Sequence, residues 1–139
     1  MKNYLGFFLE SLYRATGGET QQQDFLTRFY ELFTESSPDV AARFQGVDMD
    51  RQKRMLGRSL QEMTDFSTSR AASEHLRRTA MRHSRWDRDI RPDLYDLWLE
   101  SLIATAQEFD LEFTEEIELA WRVVLAPGIA YMKFKYDHR

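Results

Sequence analysis

The sequence predicts an all-α fold of about seven helices, and three observations carry that expectation. Apolar residues recur at spacings of three and four along nearly the whole chain, the period of a helix with one buried face. The strict alternation of a half-buried strand is almost absent. Helix start and stop signals punctuate the chain at intervals suited to helices of ordinary length. At 139 residues the chain is expected to form a single domain, 1–139, large enough to bury a real core.

The first helix is expected over residues 3–15, with Tyr4, Phe7, Phe8 and Leu12, closed by glycine in "TGG". Thr20 and Gln23 stand at capping-box spacing and are expected to open the second, which carries Phe25, Leu26, Phe29, Tyr30 and Phe33. "SSP" ends it. Ser37 followed by Pro38 starts a short third helix running to about Phe44. Asp48 or Asp50 caps a fourth, with Met55, Leu56, Leu60 and Met63 on one face, and "STS" at 67–69 is expected to break it. Residues 70–83 read as a shorter helix ending at His83. Pro92 opens a long helix through Leu94, Trp98, Leu102 and Ala106. Thr114 with Glu115 and Glu116 caps the last, which carries Ile117, Trp121, Val124 and Met132; Pro127-Gly128 predicts a kink or break inside it.

Composition narrows the function. Ten Phe, six Tyr and three Trp suit either a thick core or the lining of an apolar pocket. A net charge of −4 provides no electrostatic footprint for nucleic acid or an anionic membrane, so neither is an expected partner. The basic runs "RQKR" and "HLRRTAMRHSR" read as solvated helix faces. The absence of cysteine removes disulfides, thiol nucleophiles and zinc fingers together, and fits a reducing compartment. "YLGFFLESLYRA" is too short and too charged to cross a membrane and has no signal-peptide pattern, so the expected location is the cytoplasm.

Three polar residues interrupt otherwise apolar stripes. Tyr30 shares a face with Leu26 and Phe33, and Gln52 shares one with Met55, Leu56, Ser59 and Met63. Buried polar tips need partners, which here would be one another, water or a ligand. His83 is the third. It lies seven residues from Leu76, within about 20° on a helical wheel, with Thr79 and Ala80 on the same face. His75 points to the flank and His138 lies in the tail. A lone interior histidine is ordinarily a satisfied core residue. As a ligand to a bare metal it would need two or three companions, and none stands at metal-site spacing. One histidine suffices when the metal arrives in its own macrocycle, because haem iron needs one axial imidazole and an apolar slot for the ring.

At this point the motifs acquire a register. "FYELFTESSPDVAARF", "QKRML" and "HSRWDRDIRPDLY", in that order, resemble the globins, closest to bacterial single-domain globins and the globin domain of flavohaemoglobins. The likeness spans roughly residues 20–136, with "AW" at Ala120-Trp121 resembling the start of the core of the last globin helix. The resemblance implies a globin fold around a haem pocket holding haem b (iron protoporphyrin IX). It implies His83 as the proximal iron ligand, Phe44 as the residue packed on the haem, and Tyr30 with Gln52 as distal donors. Leu56, Ile90 and Tyr95 complete the pocket. Trp98 resembles the tryptophan that faces ligand in some truncated globins, against a plain reading as core packing. Arg82 and Arg85 are candidates for the haem propionates, because that edge of a globin pocket meets solvent.

Two departures from the flavohaemoglobin pattern stand out. The loop from His83 to Ile90 is longer, and Tyr136 in "KFKYD" falls where a last-helix glutamate should approach the proximal histidine. The function implied is reversible binding of a diatomic gas (O2, NO or CO). Nitric-oxide/O2 chemistry would need a separate reductase, so enzymatic activity is left open. The alternatives are a haem-based sensor or interaction module working through a non-covalent partner, and a haem-free helical bundle.

Overall fold

A computed structural model describes residues 3–69 and 71–138. Among them are seven helices and no strand: α1 (Tyr4–Thr16), α2 (Glu19–Glu35), α3 (Pro38–Arg43), α4 (Met49–Ser69), α5 (Glu74–Arg82), α6 (Asp93–Phe109) and α7 (Glu115–Lys135). The principal packings pair α1 with α7, α4 with α7, and α2 with α6. No described helix is long and apolar enough to cross a membrane.

Most of the expected caps are present in atomic detail. Ser37 Oγ accepts from the Asp39 and Val40 amides, Asp48 Oδ1 from those of Asp50 and Arg51, and Thr114 Oγ1 from that of Ile117. Each supplies an acceptor to first-turn N–H groups that have no partner within the helix.

Gly17 closes α1, as "TGG" predicts, in right-handed backbone, whereas three other expectations need correction. The Thr20–Gln23 box does not open α2: Gly18 is the N-cap, in extended backbone, and Thr20 lies within the first turn. "STS" at 67–69 does not break α4, which runs through Ser69, and the next helix begins only at Glu74 behind a Ser73 cap. Arg70, at the expected start of that helix, lies outside the described residues. Finally, Pro127-Gly128 does not break α7, which is continuous to Lys135. Proline removes only the bond to the carbonyl of Val123, an exposed residue. Gly128 then lets α7 approach α4: a Cβ there would meet Met63 Cε at 2.7 Å and Cγ at 2.8 Å.

The core lies between these pairs. Phe8 meets Trp121 edge-on at 4.8 Å and Phe25 meets Phe109 at 5.7 Å. One buried polar network crosses it. The Asp110 carboxylate, just after α6, accepts from Ser11 Oγ at 2.6 Å and from Arg14 at 2.6 and 3.0 Å. Trp121 Nε1 donates to Ser11 Oγ at 2.9 Å, so α1, α6 and α7 are joined through one carboxylate. Burial works to raise the Asp110 carboxyl, but the Arg14 and Ser11 hydrogen bonds outweigh it and hold the group below the usual aspartate value.

Candidate functional site

Residues of α2, α3, α4, α5 and α6 surround a cavity of about 460 Å³, within the range of cofactor pockets. Each helix contributes the face its periodicity predicts. From α2 come Tyr30 and Phe33; from α4 come Gln52, Met55, Leu56, Ser59 and Met63, the same stripe that the sequence marks. Leu76 and Thr79 of α5 lead to His83, which caps the helix and donates its own backbone N–H to Thr79 O at 3.1 Å. Ile90, Leu94, Tyr95 and Trp98 close the wall at the start of α6.

Phe44 follows α3 and is packed edge-on against Tyr30 at 5.5 Å and Phe33 at 5.9 Å. Trp98 meets Phe29 at 6.2 Å. The Tyr30 hydroxyl donates to the backbone carbonyl of Gln52 at 2.9 Å, so this buried polar tip has a protein partner while still lining the cavity. Burial raises the Tyr30 and Tyr95 hydroxyls above the usual tyrosine value, and both stay protonated donors at neutral pH.

His83 is half-buried. Its Nδ1 is buried without a hydrogen-bond partner, and so is the Tyr95 hydroxyl. Burial, reinforced by the Arg88 and Arg82 charges and opposed by Asp87, lowers the imidazole to about 4. It is therefore neutral at pH 7, with one nitrogen lone pair free to bind an electrophile. His75 lies off the cavity, and His138 stacks on Phe134 at 4.0 Å in the tail. Among the described residues no group of three or more His, Asp or Glu could hold a bare metal ion. A single neutral imidazole on a mostly apolar wall fits a metal that brings its other ligands in a macrocycle.

Of the residues singled out in the sequence, Tyr30, Phe44, Gln52, Leu56, His83, Ile90, Tyr95 and Trp98 all meet in this cavity. Arg82 and Arg85 do not. Both are exposed; the Arg85 backbone N–H donates to Tyr136 O at 2.9 Å, and its guanidinium lies 6.0 Å from the Trp86 ring centre. The arginines that reach the cavity are Arg43 and Arg88. A run such as "MRHSRWDRD" offers several arginines at the end of a helix, and only the path of the loop decides which one turns back. Tyr136 does not approach the cavity either; its hydroxyl donates to the Asp89 carboxylate.

The chain is similar to a crystal structure from Pseudomonas aeruginosa PAO1, described as structurally highly homologous to human hemoglobin. The two share 33% sequence identity over 98% of this chain and 100% of that one, with a TM-score of 0.89. No family model and no curated protein matches the sequence.

Proposed function

Because the chain belongs to the globin family, we propose that it binds haem b through His83 and takes up a diatomic gas in the same cavity. The observation that carries this reading is a neutral imidazole, that of His83, on the wall of a largely apolar cavity of about 460 Å³. When bound, haem supplies an iron centre that takes up O2, NO or CO. The chain's own residues do the rest. His83 would hold the iron through a ring nitrogen, and Phe44 with Leu56 would give the ring an apolar bed. Of the arginines that reach the cavity, Arg88 is the candidate cation for a propionate, because the Arg43 guanidinium already donates to the carbonyls of Arg88 and Asp89.

A ligand that gains partial negative charge is retained by hydrogen-bond donors. Tyr30, Gln52 and Trp98 supply a hydroxyl, an amide and an indole N–H along the same cavity. Such donors slow ligand escape, which suits nitric-oxide/O2 chemistry with a separate reductase better than bulk transport. The kinship with flavohaemoglobin globin domains, read from "FY" and "QKRML", belongs to this proposal. A sensor acting through a non-covalent partner would use the same pocket.

The deciding experiment is the optical spectrum of protein purified with haem supplied, in ferric, ferrous and CO-bound forms. A Soret band in the parent and in His75→Ala, absent or displaced in His83→Ala, is the expected result. A parent protein without a Soret band, or a His83→Ala spectrum identical to the parent, would falsify the reading.

A further inference from the structure

The segment between His83 and Ile90 is a loop by its backbone, yet it is held like a structural element. Within it, the Asp87 and Asp89 amides both donate to Ser84 O, at 3.1 and 2.9 Å. Arg88 N donates to Arg82 O at 3.0 Å, and Ile90 N to His83 O at 3.0 Å. From outside, the Arg43 guanidinium donates to the carbonyls of Arg88 and Asp89 at 3.2 and 3.0 Å. Tyr136, at the end of α7, grips the loop twice. Its carbonyl accepts from Arg85 N near one end, and its hydroxyl donates to the Asp89 carboxylate at the other.

Asp89 is also the one non-glycine residue with a positive φ among the described residues, at 54°. That conformation is uphill for a residue with a Cβ and persists where surrounding bonds over-determine it. The His83 ring needs this external support. Histidines that bind metals usually have their ring orientation fixed by a hydrogen bond from the second nitrogen, and here Nδ1 has no partner. Orientation then falls to packing and to the backbone on either side of the residue. Ile90 N bonds straight to the His83 carbonyl, so what holds Asp89 also bears on the backbone that carries the ring.

We propose that Tyr136 and Asp89 form a latch that sets the orientation of the His83 imidazole, which makes Tyr136 a positioning residue for the axial ligand. The proposal rests on the haem reading above. Its test uses the haem-loaded protein with two readouts, the ferrous iron–histidine stretching band in resonance Raman and the rate of haem transfer to excess apoglobin. Tyr136→Phe removes the hydroxyl and keeps the ring. It should shift or broaden the band and speed haem loss about two- to tenfold, the equivalent of one hydrogen bond. Asp89→Ala should do the same. Asp89→Asn, which retains a carbonyl acceptor and tolerates a positive φ, should restore parent behaviour. An unchanged band and unchanged transfer in Tyr136→Phe overturn the latch, while loss of haem in His83→Ala leaves the haem reading standing. If His83→Ala keeps the parent spectrum, the haem reading fails and the latch fails with it.

Discussion

The imidazole of His83 links the site to stability through its protonation. Folded, it titrates near 4; unfolded, it returns to about 6.5. Between those values the unfolded chain binds the extra proton, so stability of the haem-free protein must fall as pH drops from about 6.5 to about 4, and level off below. The full shift corresponds to about 3 kcal/mol, less whatever the half-exposed ring recovers from solvent. Urea unfolding of haem-free protein at pH 7.5 and 4.5 should show this loss in the parent and not in His83→Gln. Equal losses in both proteins would place the acid-sensitive group elsewhere. Tyr30 adds a second test at this scale. Its hydroxyl already donates to Gln52 O, and must give up that bond, worth about 0.5–1.5 kcal/mol, before donating to a ligand. The net gain is then smaller than the roughly 1.5–3 kcal/mol of a hydrogen bond to a charged acceptor. Stopped-flow O2 release should accelerate in Tyr30→Phe by about threefold to thirtyfold, with CO release nearly unchanged. A larger acceleration in Trp98→Phe would make the indole the chief donor.

At the scale of elements, three helices depend on one carboxylate. Removing Asp110 leaves the Ser11 hydroxyl without its acceptor in the core and leaves the partly exposed Arg14 only Glu112 at 3.5 Å. Asp110→Ala should cost about 1–3 kcal/mol, the usual consequence of leaving a buried polar group unsatisfied, because Arg14 keeps access to solvent. Asp110→Asn keeps one acceptor and should cost less. Because the folded carboxyl sits below its ordinary value, its contribution is full above the unfolded aspartate range and disappears as pH falls through the folded one. The acid limb of a thermal-melting profile should therefore flatten in Asp110→Asn, and an unchanged limb would exclude Asp110 as its source.

The same scale shows what a reader of the sequence can and cannot see. Helix cores were legible because Phe25, Phe29 and Phe33 recur at a fixed period and all end up buried. Caps were legible where a short side chain reaches its own first turn, as at Ser37, Asp48 and Thr114. Thr20 failed because a glycine two residues earlier already supplies the extended backbone that an N-cap needs. Pro127 misled because breaking a helix depends on what surrounds it, and α4 holds α7 on the far side. Within the site, residues on helices fell into register, whereas Arg82 and Arg85 lay beside a loop whose path follows from the long-range bonds of Arg43 and Tyr136.

For the whole molecule, cavity and core are built by overlapping sets of helices, so filling one should steady the other. A ligand that binds only the folded chain stabilises it by mass action, by about 2.7 kcal/mol at a hundredfold excess over Kd. Added haem should raise the melting temperature of the parent by several degrees and leave that of His83→Ala nearly unmoved, as read by circular dichroism. Equal rises in both proteins would point to unspecific association of the dye with apolar surface.

The pairing of α1 with α7 also has a consequence in time. The bond from Trp121 to Ser11 spans 110 positions of the chain, and Phe8 finds its aromatic neighbour at the same distant place. During synthesis, at roughly 5–20 residues per second, α1 emerges several seconds before the helix that covers it. Throughout that interval the Phe8 face has no lasting cover, and α4 lacks the wall behind Met63. The contacts between α1 and α7 are therefore among the last the chain can make, after the six helices before α7 are already present.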